Sequence, residues 1–144
     1  MKNFAALIFA FFLLLTFSCT KSDGYDSSKT ISVKINGIQK YFNAIEVEQV
    51  EDTDYTDYII TAKQKDDSTK TITISLEKGV PGTESIYYIQ YFDAIDYFEG
   101  VNPNINTNVT QNSNLKIMGT FSGNLDNGNG DIVQLSQGIF NINL

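Results

Sequence analysis

The chain has 144 residues, a formal net charge of −7, one cysteine and no histidine. All its basic residues are lysines, so the guanidinium fork that grips phosphate is absent, and the acidic balance disfavours nucleic acid as a partner. Without histidine or a second cysteine, Ser-His-Asp and Cys-His catalysis, His- or Cys-based zinc sites and disulfides are excluded. We therefore expect a protein that is not an enzyme and needs no cofactor.

The chain opens with an apolar run from Phe4 to Phe17, which follows Lys2. This run is shorter than the about 20 apolar residues that span a bilayer, and it is typical of the hydrophobic region of a signal peptide. It ends in Thr16-Phe17-Ser18-Cys19, which resembles the loosened lipobox of Bacteroidota lipoproteins. The resemblance implies that residues 1–18 are removed and that Cys19 becomes a lipid-modified N-terminus.

Residues 19–29 are rich in Ser, Asp and Lys and lack apolar periodicity, which is typical of a flexible tether. Lipidation of Cys19 predicts a protein bound to the outer membrane through its lipid, on the periplasmic or the cell-surface face. Thr20-Lys21-Ser22-Asp23 resembles the surface-export signal of such lipoproteins, with one acidic residue where two are usual. The alternatives are a secreted protein with a free thiol at Cys19, or a chain that keeps a short membrane anchor.

From Thr30 onward, apolar and polar residues alternate with the period of a half-buried strand. Asn36-Gly37 lies between two such runs and indicates a hairpin turn. Inward-facing Ile72, Ile74 and Leu76 are expected in one of the later strands. The strands predicted in this part of the chain are Ile31–Ile35, Ile38–Phe42, Ala44–Val50, Tyr58–Gln64, Lys70–Glu77 and Ile86–Phe92.

Residues 93–114 predict an irregular region: residues 93–100 form either one helical turn or an extended loop, and the polar, asparagine-rich residues 101–114 form at most an edge strand near Thr107–Thr110. In the strand that follows, Leu115, Ile117, Phe121 and Leu125 are expected to share a face with Gly119 and Gly123. Glycines on an inward face indicate close approach of another backbone. Strands over 131–136 and 137–144 complete the pattern.

The predicted fold is all-β: residues 30–144 form one antiparallel domain, either a β-sandwich or a partly closed up-and-down barrel of about eight strands. Three stretches, "SVKINGIQKYF", "GTFSGNL" and "QGIFNINL", resemble a family of small Bacteroidota lipoproteins of unknown function. That resemblance implies an extracytoplasmic all-β domain and no known catalytic residue.

Aromatic residues are concentrated just before and within the expected loop. Alternation places Tyr88 and Phe92 on one face of their strand and Tyr87 and Tyr91 on the other. The candidate residues for binding a ligand or partner are Tyr87, Tyr91, Tyr97 and Phe98. Tyrosines beside Asp and Asn suit a sugar ring or a protein partner, although aromatic strand residues also serve to pack a loop onto a sheet.

Acidic turns offer oxygen ligands of the kind that calcium prefers. Asp52, Asp54 and Asp57 lie in one turn, and a second turn carries Asp126, Asn127, Asn129 and Asp131. Neither has the spacing of an EF-hand, so solvated turns are the favoured interpretation and no metal site is expected.

Three functional hypotheses follow. The preferred one is a lipid-anchored envelope protein that binds a glycan, small ligand or protein without chemistry. The first alternative is a structural or accessory subunit of an outer-membrane assembly, which predicts an exposed apolar patch or an unprotected edge strand. The second is a hydrolase based on two carboxylates in a cleft, with one of them protonated through a raised pKa.

Overall fold

The computed structural model describes residues 28–144. The predicted signal peptide, Cys19 and nearly all of the predicted tether lie outside the described residues. No helix long and apolar enough to cross a membrane occurs within residues 28–144. The strands are β1 (Lys29–Ile35), β2 (Ile38–Glu51), β3 (Thr56–Gln64), β4 (Asp67–Glu77), β5 (Ile86–Phe92), β6 (Tyr97–Val101), β7 (Ile105–Asn112), β8 (Lys116–Asp126) and β9 (Ile132–Asn143).

All nine strands belong to one antiparallel sheet in the order β6-β5-β4-β3-β2-β1-β9-β8-β7. The sheet closes because β6, at one end of this order, also pairs with β8 through Glu99 and Asp126. The expectation of an all-β sandwich or barrel is thereby confirmed, in the form of a closed up-and-down barrel with β7 added on β8. Closure pairs strand edges that would otherwise be open to other chains.

The barrel interior is one continuous apolar core. Alternating residues of each strand supply it, and Ile72, Ile74 and Leu76 are fully buried as the sequence predicts. Large aromatic side chains, Tyr58, Phe42 and Phe140 among them, fill the centre. Burial of each such side chain stabilises the fold by about 1.5–3 kcal/mol. The barrel is therefore held together by packing, without a disulfide.

The Asn36-Gly37 turn forms as predicted between β1 and β2. Both residues have positive φ, 48° and 82°, and Ile35 pairs directly with Ile38. The Asn36 side-chain oxygen accepts the Gln134 N–H at 2.9 Å, and the Asn36 N–H donates to the Gln134 carbonyl at 2.9 Å. This turn therefore also ties β1 to β9.

Two pairs of predicted short strands are single long strands in the structure. The runs Ile38–Phe42 and Ala44–Val50 merge into β2, where a register shift between Asn43 and Glu46 and a φ of +48° at Ala44 absorb the break. In the same way β9 runs through Gln137, which has a φ of +53°. Local bulges interrupt the alternation of side chains without ending the strand.

The expected loop over 93–114 is wrong, because this stretch contains all of β6 and β7. The proposed edge strand near Thr107–Thr110 lies inside β7. Phe98 and Gly100 of β6 face inward, as do Ile105 and Val109 of β7. Such short strands with few apolar residues leave a weak pattern, and asparagine is depleted in strands. Leu115 is also misplaced by the alternation, since it is 77% exposed in the turn before β8.

The glycines of β8 allow β7 to approach closely, as the sequence predicts. A Cβ on Gly119 would lie 2.6 Å from the carbonyl oxygen of Asn108 and 2.6 Å from the Phe140 ring. A Cβ on Gly123, which has a φ of +152°, would lie 2.5 Å from the carbonyl oxygen of Asn104. Real side chains do not fit such gaps, so both positions require glycine.

We expect Gly119→Ala to destabilise the barrel by about 1–3 kcal/mol, because the methyl group overpacks a contact formed by backbone on one side and Phe140 on the other. Urea unfolding followed by circular dichroism measures this. The control is Gly128→Asn, at an exposed turn position with open space and a φ of +75° that asparagine tolerates. Equal stability of the two variants would contradict the close approach of β7.

Candidate functional site

A β-bulge in β5 decides which tyrosines reach the surface. Ile86 pairs with Leu76 while Tyr88 pairs with Ser75, so Tyr87 is the extra residue. Tyr87 and Tyr88 therefore both point outward, and Tyr91 points inward. The expectation that Tyr87 and Tyr91 share a face is wrong, because the bulge shifts the alternation by one residue.

Two of the four candidate residues lie in the core. Tyr91 is 4% exposed and Phe98 is 6% exposed, and the two are register partners across β5 and β6. The Tyr91 hydroxyl donates to Oε1 of buried Gln64 at 3.4 Å, and burial raises the pKa of Tyr91 to about 12. These side chains pack the barrel and offer no surface to a ligand.

Tyr87 is exposed, but its hydroxyl already has a partner. It donates to Oδ2 of Asp57 at 2.7 Å, and burial followed by this hydrogen bond raises the pKa of Tyr87 to about 12. Tyr87 lines a cleft of about 330 Å³ together with Tyr55, Asp57 and Glu77. This cleft lies at the barrel end where β2 stops and β3 begins.

The calcium candidates are not gathered around one point. Asp52 accepts the backbone N–H of Thr53 at 2.6 Å, which is its main contact and lowers its pKa. Asp57 lies in β3, where it accepts the Tyr87 hydroxyl. Across residues 28–144, no group of three or more His, Cys, Asp or Glu residues is arranged to hold a metal ion.

The fourth candidate, Tyr97, lies in a larger cleft at the opposite end of the barrel, which we call the seam cleft. Its volume is about 450 Å³. The residues that line it are Tyr97, Glu99, Val101, Asn104, Asp126, Asn127 and Gly128. It lies where β6 meets β8, so closure of the barrel brings together residues from distant parts of the chain.

The aromatic ring of Tyr97 is exposed and held in a fixed position. It stacks on Phe92 with 4.5 Å between ring centroids and 25° between planes, which holds it in place from one side. The side chain is nevertheless 55% exposed. An aromatic ring that is supported on one face and open elsewhere suits stacking against another flat, partly apolar group.

Glu99 is held in position by two donors. The Tyr88 hydroxyl donates to its Oε1 at 2.7 Å and the Gln90 amide donates to the same oxygen at 2.9 Å. The hydrogen bond from Tyr88, followed by that from Gln90, lowers the pKa of Glu99. Burial and then the bond to Glu99 raise the pKa of Tyr88 to about 12. At neutral pH the pair is thus a tyrosine donor and an ionised acceptor.

Asp126 lies directly across the seam from Glu99. Its Oδ1 accepts the Gly128 N–H at 3.0 Å in the following turn. No lysine neutralises the pair within residues 28–144, where the ion pairs are Lys40 with Asp66 and Lys70 with Asp67. The lowered pKa of Glu99 is the opposite of what a general acid needs, so Glu99 suits hydrogen-bond acceptance better than hydrolysis.

Sequence reasoning found Tyr97 but missed Glu99 and Asn104, and it considered Asp126 only as a weak calcium ligand in a turn. Glu99 is two residues from Tyr97, so strand alternation would have placed both on the outer face if β6 had been recognised. Asp126 belongs to the site only because β6 pairs with β8. The sequence around either strand contains no pattern that predicts this pairing.

No family model, curated protein or solved structure matches the chain.

We expect Tyr88→Phe to raise the pKa of Glu99 toward the ordinary value of a glutamate, because the first of its two stabilising hydrogen bonds is removed. Titration of the Glu99 carboxyl carbon by NMR measures the shift. Because the pKa of Glu99 is lower in the folded than in the unfolded state, its ionised form stabilises the fold at pH values above the unfolded-state pKa. This stabilisation is lost as the pH falls through the folded-state pKa. The free energy of unfolding of Tyr88→Phe should therefore change less with pH across that acidic range than that of the unmodified protein. Tyr41→Phe, in an exposed position on β2, is the control. An unchanged Glu99 pKa in Tyr88→Phe would contradict the hydrogen bond.

Proposed function

We propose that this chain is a lipid-anchored protein of the cell envelope whose barrel binds a saccharide in the seam cleft, without catalysis. The observation that carries the proposal is the exposed Tyr97 ring, which stacks on Phe92 and lines a cleft of about 450 Å³ together with the acidic side chains of Glu99 and Asp126. Small-ligand sites combine an aromatic or apolar surface with a few placed polar groups in this way.

The groups in the cleft match the chemistry of a sugar. A sugar ring has an apolar face, which stacks on an aromatic ring, and hydroxyl groups around its edge, which donate hydrogen bonds. Glu99 and Asp126 are cross-strand neighbours of like charge, an arrangement that destabilises a sheet. Ligand hydroxyl groups that donate hydrogen bonds to the Glu99 and Asp126 oxygens would offset the repulsion between the two side chains. The site therefore favours a ligand with many hydrogen-bond donors.

The position of the cleft fits attachment through the N-terminus. Ser28 accepts the Asn143 N–H, and Asn143 pairs with Lys116 at the start of β8. Asp126 lies at the other end of β8, which at about 3.4 Å per residue is roughly 34 Å along the strand. A chain anchored through residues upstream of Ser28 would therefore hold the seam cleft away from the membrane.

The anchor itself is proposed from the sequence. The apolar run Phe4–Phe17 and the lipobox-like Thr16-Phe17-Ser18-Cys19 support cleavage before Cys19 and its acylation, as in the Bacteroidota lipoproteins that the chain resembles. Acyl chains contribute about 0.8 kcal/mol per buried methylene, so a multiply acylated cysteine would hold the domain on a membrane.

One observation favours the alternative of an accessory subunit in an envelope assembly. Beyond Phe42, β2 continues to Glu51 and pairs with β3, but within residues 28–144 no strand pairs with its other edge. Open strand edges accept an added strand from a partner. Saccharide binding remains the preferred proposal because the seam cleft offers a ligand-sized concave site, whereas the β2 edge specifies no particular partner.

We expect Cys19→Ala to abolish metabolic labelling by a palmitate analogue and to release the protein into the soluble fraction of lysed cells. Loss of the only thiol removes the sole acylation site of this type. Cys19→Ser is a second variant that keeps the polarity and should behave identically. Continued labelling of either variant would contradict the anchor.

We expect Tyr97→Ala to weaken saccharide binding by about tenfold, equivalent to ~1.4 kcal/mol, since it removes the stacking surface but leaves the core intact. A glycan array with the purified domain identifies ligands, and calorimetry with the strongest of them gives the affinity. Tyr41→Ala removes another exposed tyrosine and should bind normally. No ligand on the array, or equal affinity of the two variants, would contradict the proposal.

A further inference from the structure

We infer that the seam cleft is one end of a longer binding track, formed by the outer faces of β7, β8 and β9, that takes an extended uncharged glycan. The inference rests on the proposed function and specifies its ligand as an uncharged chain rather than a single sugar. The track includes a shallow groove of about 410 Å³, whose lining begins at Asn106, two residues after Asn104 of the seam cleft. Its lining residues are Asn106, Thr107, Asn108, Thr120, Phe121, Ser122, Gln137, Gly138 and Ile139.

Charge is absent from this side of the barrel. In the stretch from 101 to 144 the charged residues are Lys116, Asp126 and Asp131, whereas the whole chain carries 10 lysines and 17 acidic residues. Lys116 and Asp126 stand at the two ends of β8, and Asp131 precedes β9. None of the three lines the groove, so its polar side chains are all uncharged amides and hydroxyls.

The outward asparagines of β7 have no structural use in the described part of the chain. Asn106 and Asn108 are exposed, and neither side chain makes a hydrogen bond within residues 28–144. Asn112, on the same strand, differs: its amide donates to the Glu77 and Val80 carbonyls at 2.7 and 3.0 Å. Asparagine is unfavourable in strands, so its use at two exposed positions without a local role indicates a function on that surface.

Amide and hydroxyl side chains match the surface of a neutral sugar chain. Each can both donate and accept hydrogen bonds, as sugar hydroxyls can, so either orientation of a hydroxyl finds a partner. Short side chains such as Asn and Thr lose less rotamer freedom on binding than Lys or Glu. A chain of uronic acids would find no cation in the groove and would meet Glu99 and Asp126 at the seam, so an uncharged chain is favoured.

A row of asparagines connects the lining of the seam cleft with that of the groove. Asn104 lines the seam cleft, and Asn106 and Asn108 follow it at every second position toward the middle of β7. Alternate residues on a strand face the same side about 6.8 Å apart, and Asn104 lies in the turn just before Asn106 and Asn108, so the three residues cover up to roughly 14 Å. Ile139, 54% exposed on β9, adds an apolar contact for a ring face. This length exceeds one sugar ring, which predicts that affinity rises with chain length.

The test is calorimetry on the full barrel domain with mono-, di-, tetra- and hexasaccharides of the malto-, cello- and xylo- series, with galacturonic acid oligomers as the charged counterpart. We expect the hexasaccharide of at least one neutral series to bind about tenfold or more tightly than its disaccharide, and the galacturonic acid oligomers to bind weakly or not at all.

Variants separate the track from the seam cleft. The double variant Asn106→Ala/Asn108→Ala should lose about tenfold in hexasaccharide affinity while disaccharide affinity is unchanged. Tyr97→Ala should weaken both ligands, and Asn43→Ala, an exposed asparagine on β2, should weaken neither. Asn108→Asp, which keeps the shape and adds a charge, should be no better than Asn108→Ala for the hexasaccharide.

The outcomes distinguish the two claims. Equal affinity for short and long neutral oligosaccharides, or a double variant that binds the hexasaccharide normally, overturns the track and leaves the seam cleft standing. Tighter binding of galacturonic acid oligomers than of every neutral series overturns the uncharged ligand. Absence of binding to all of these series and to the array overturns the proposed function together with the track.

Discussion

The structure depends on how one stretch of chain closes the gap between β5 and β8. Residues 97–112 run in a single direction across this gap: their first part, β6, pairs with β5, and their second part, β7, pairs with β8. Between them the Asn104 N–H donates to the Val101 carbonyl at 2.8 Å, so the strand is interrupted by a turn. This one crossing replaces two open edges with paired ones, which is the general reason barrels resist edge-to-edge association.

The same crossing explains both the glycines and the cleft. Gly119 and Gly123 leave room for β7 against β8, and without them the backbone of β7 would stand off from the barrel. β6 reaches β8 through a single residue pair, Glu99 with Asp126, because β7 occupies the rest of that edge. The wall is therefore incomplete beside this pair, and the gap is the seam cleft. The proposed site is a consequence of closure rather than an addition to a finished barrel.

The all-β class, the Asn36-Gly37 hairpin and the inward faces of β1 and β4 were predictable, because alternation over several residues reports burial directly. The strands β6 and β7 were not, because each carries few apolar residues and β7 is rich in asparagine. The assignment of Tyr87 and Tyr91 to one face failed for a different reason: the bulge at Tyr87 leaves no sign in composition. It turns Tyr87 to the outer side together with Tyr88, while Tyr91 faces the core.

Some residues of the candidate site could be predicted from the sequence, whereas the others could be found only from the arrangement of the strands in the structure. Tyr97 and Glu99 are neighbours on one face of one strand, so a correct strand assignment would have found both. Asp126 and the groove on β8 and β9 depend on which strands lie side by side, and that order follows from closure. The asparagines that obscured β7 in the sequence are the side chains that form the proposed track. Asparagine disfavours strands, so exposed asparagines without a partner inside the fold indicate that the outer face of β7 serves another purpose. The buried side chains of Ile105 and Val109 hold β7 in the sheet, which leaves its outer face available for a ligand.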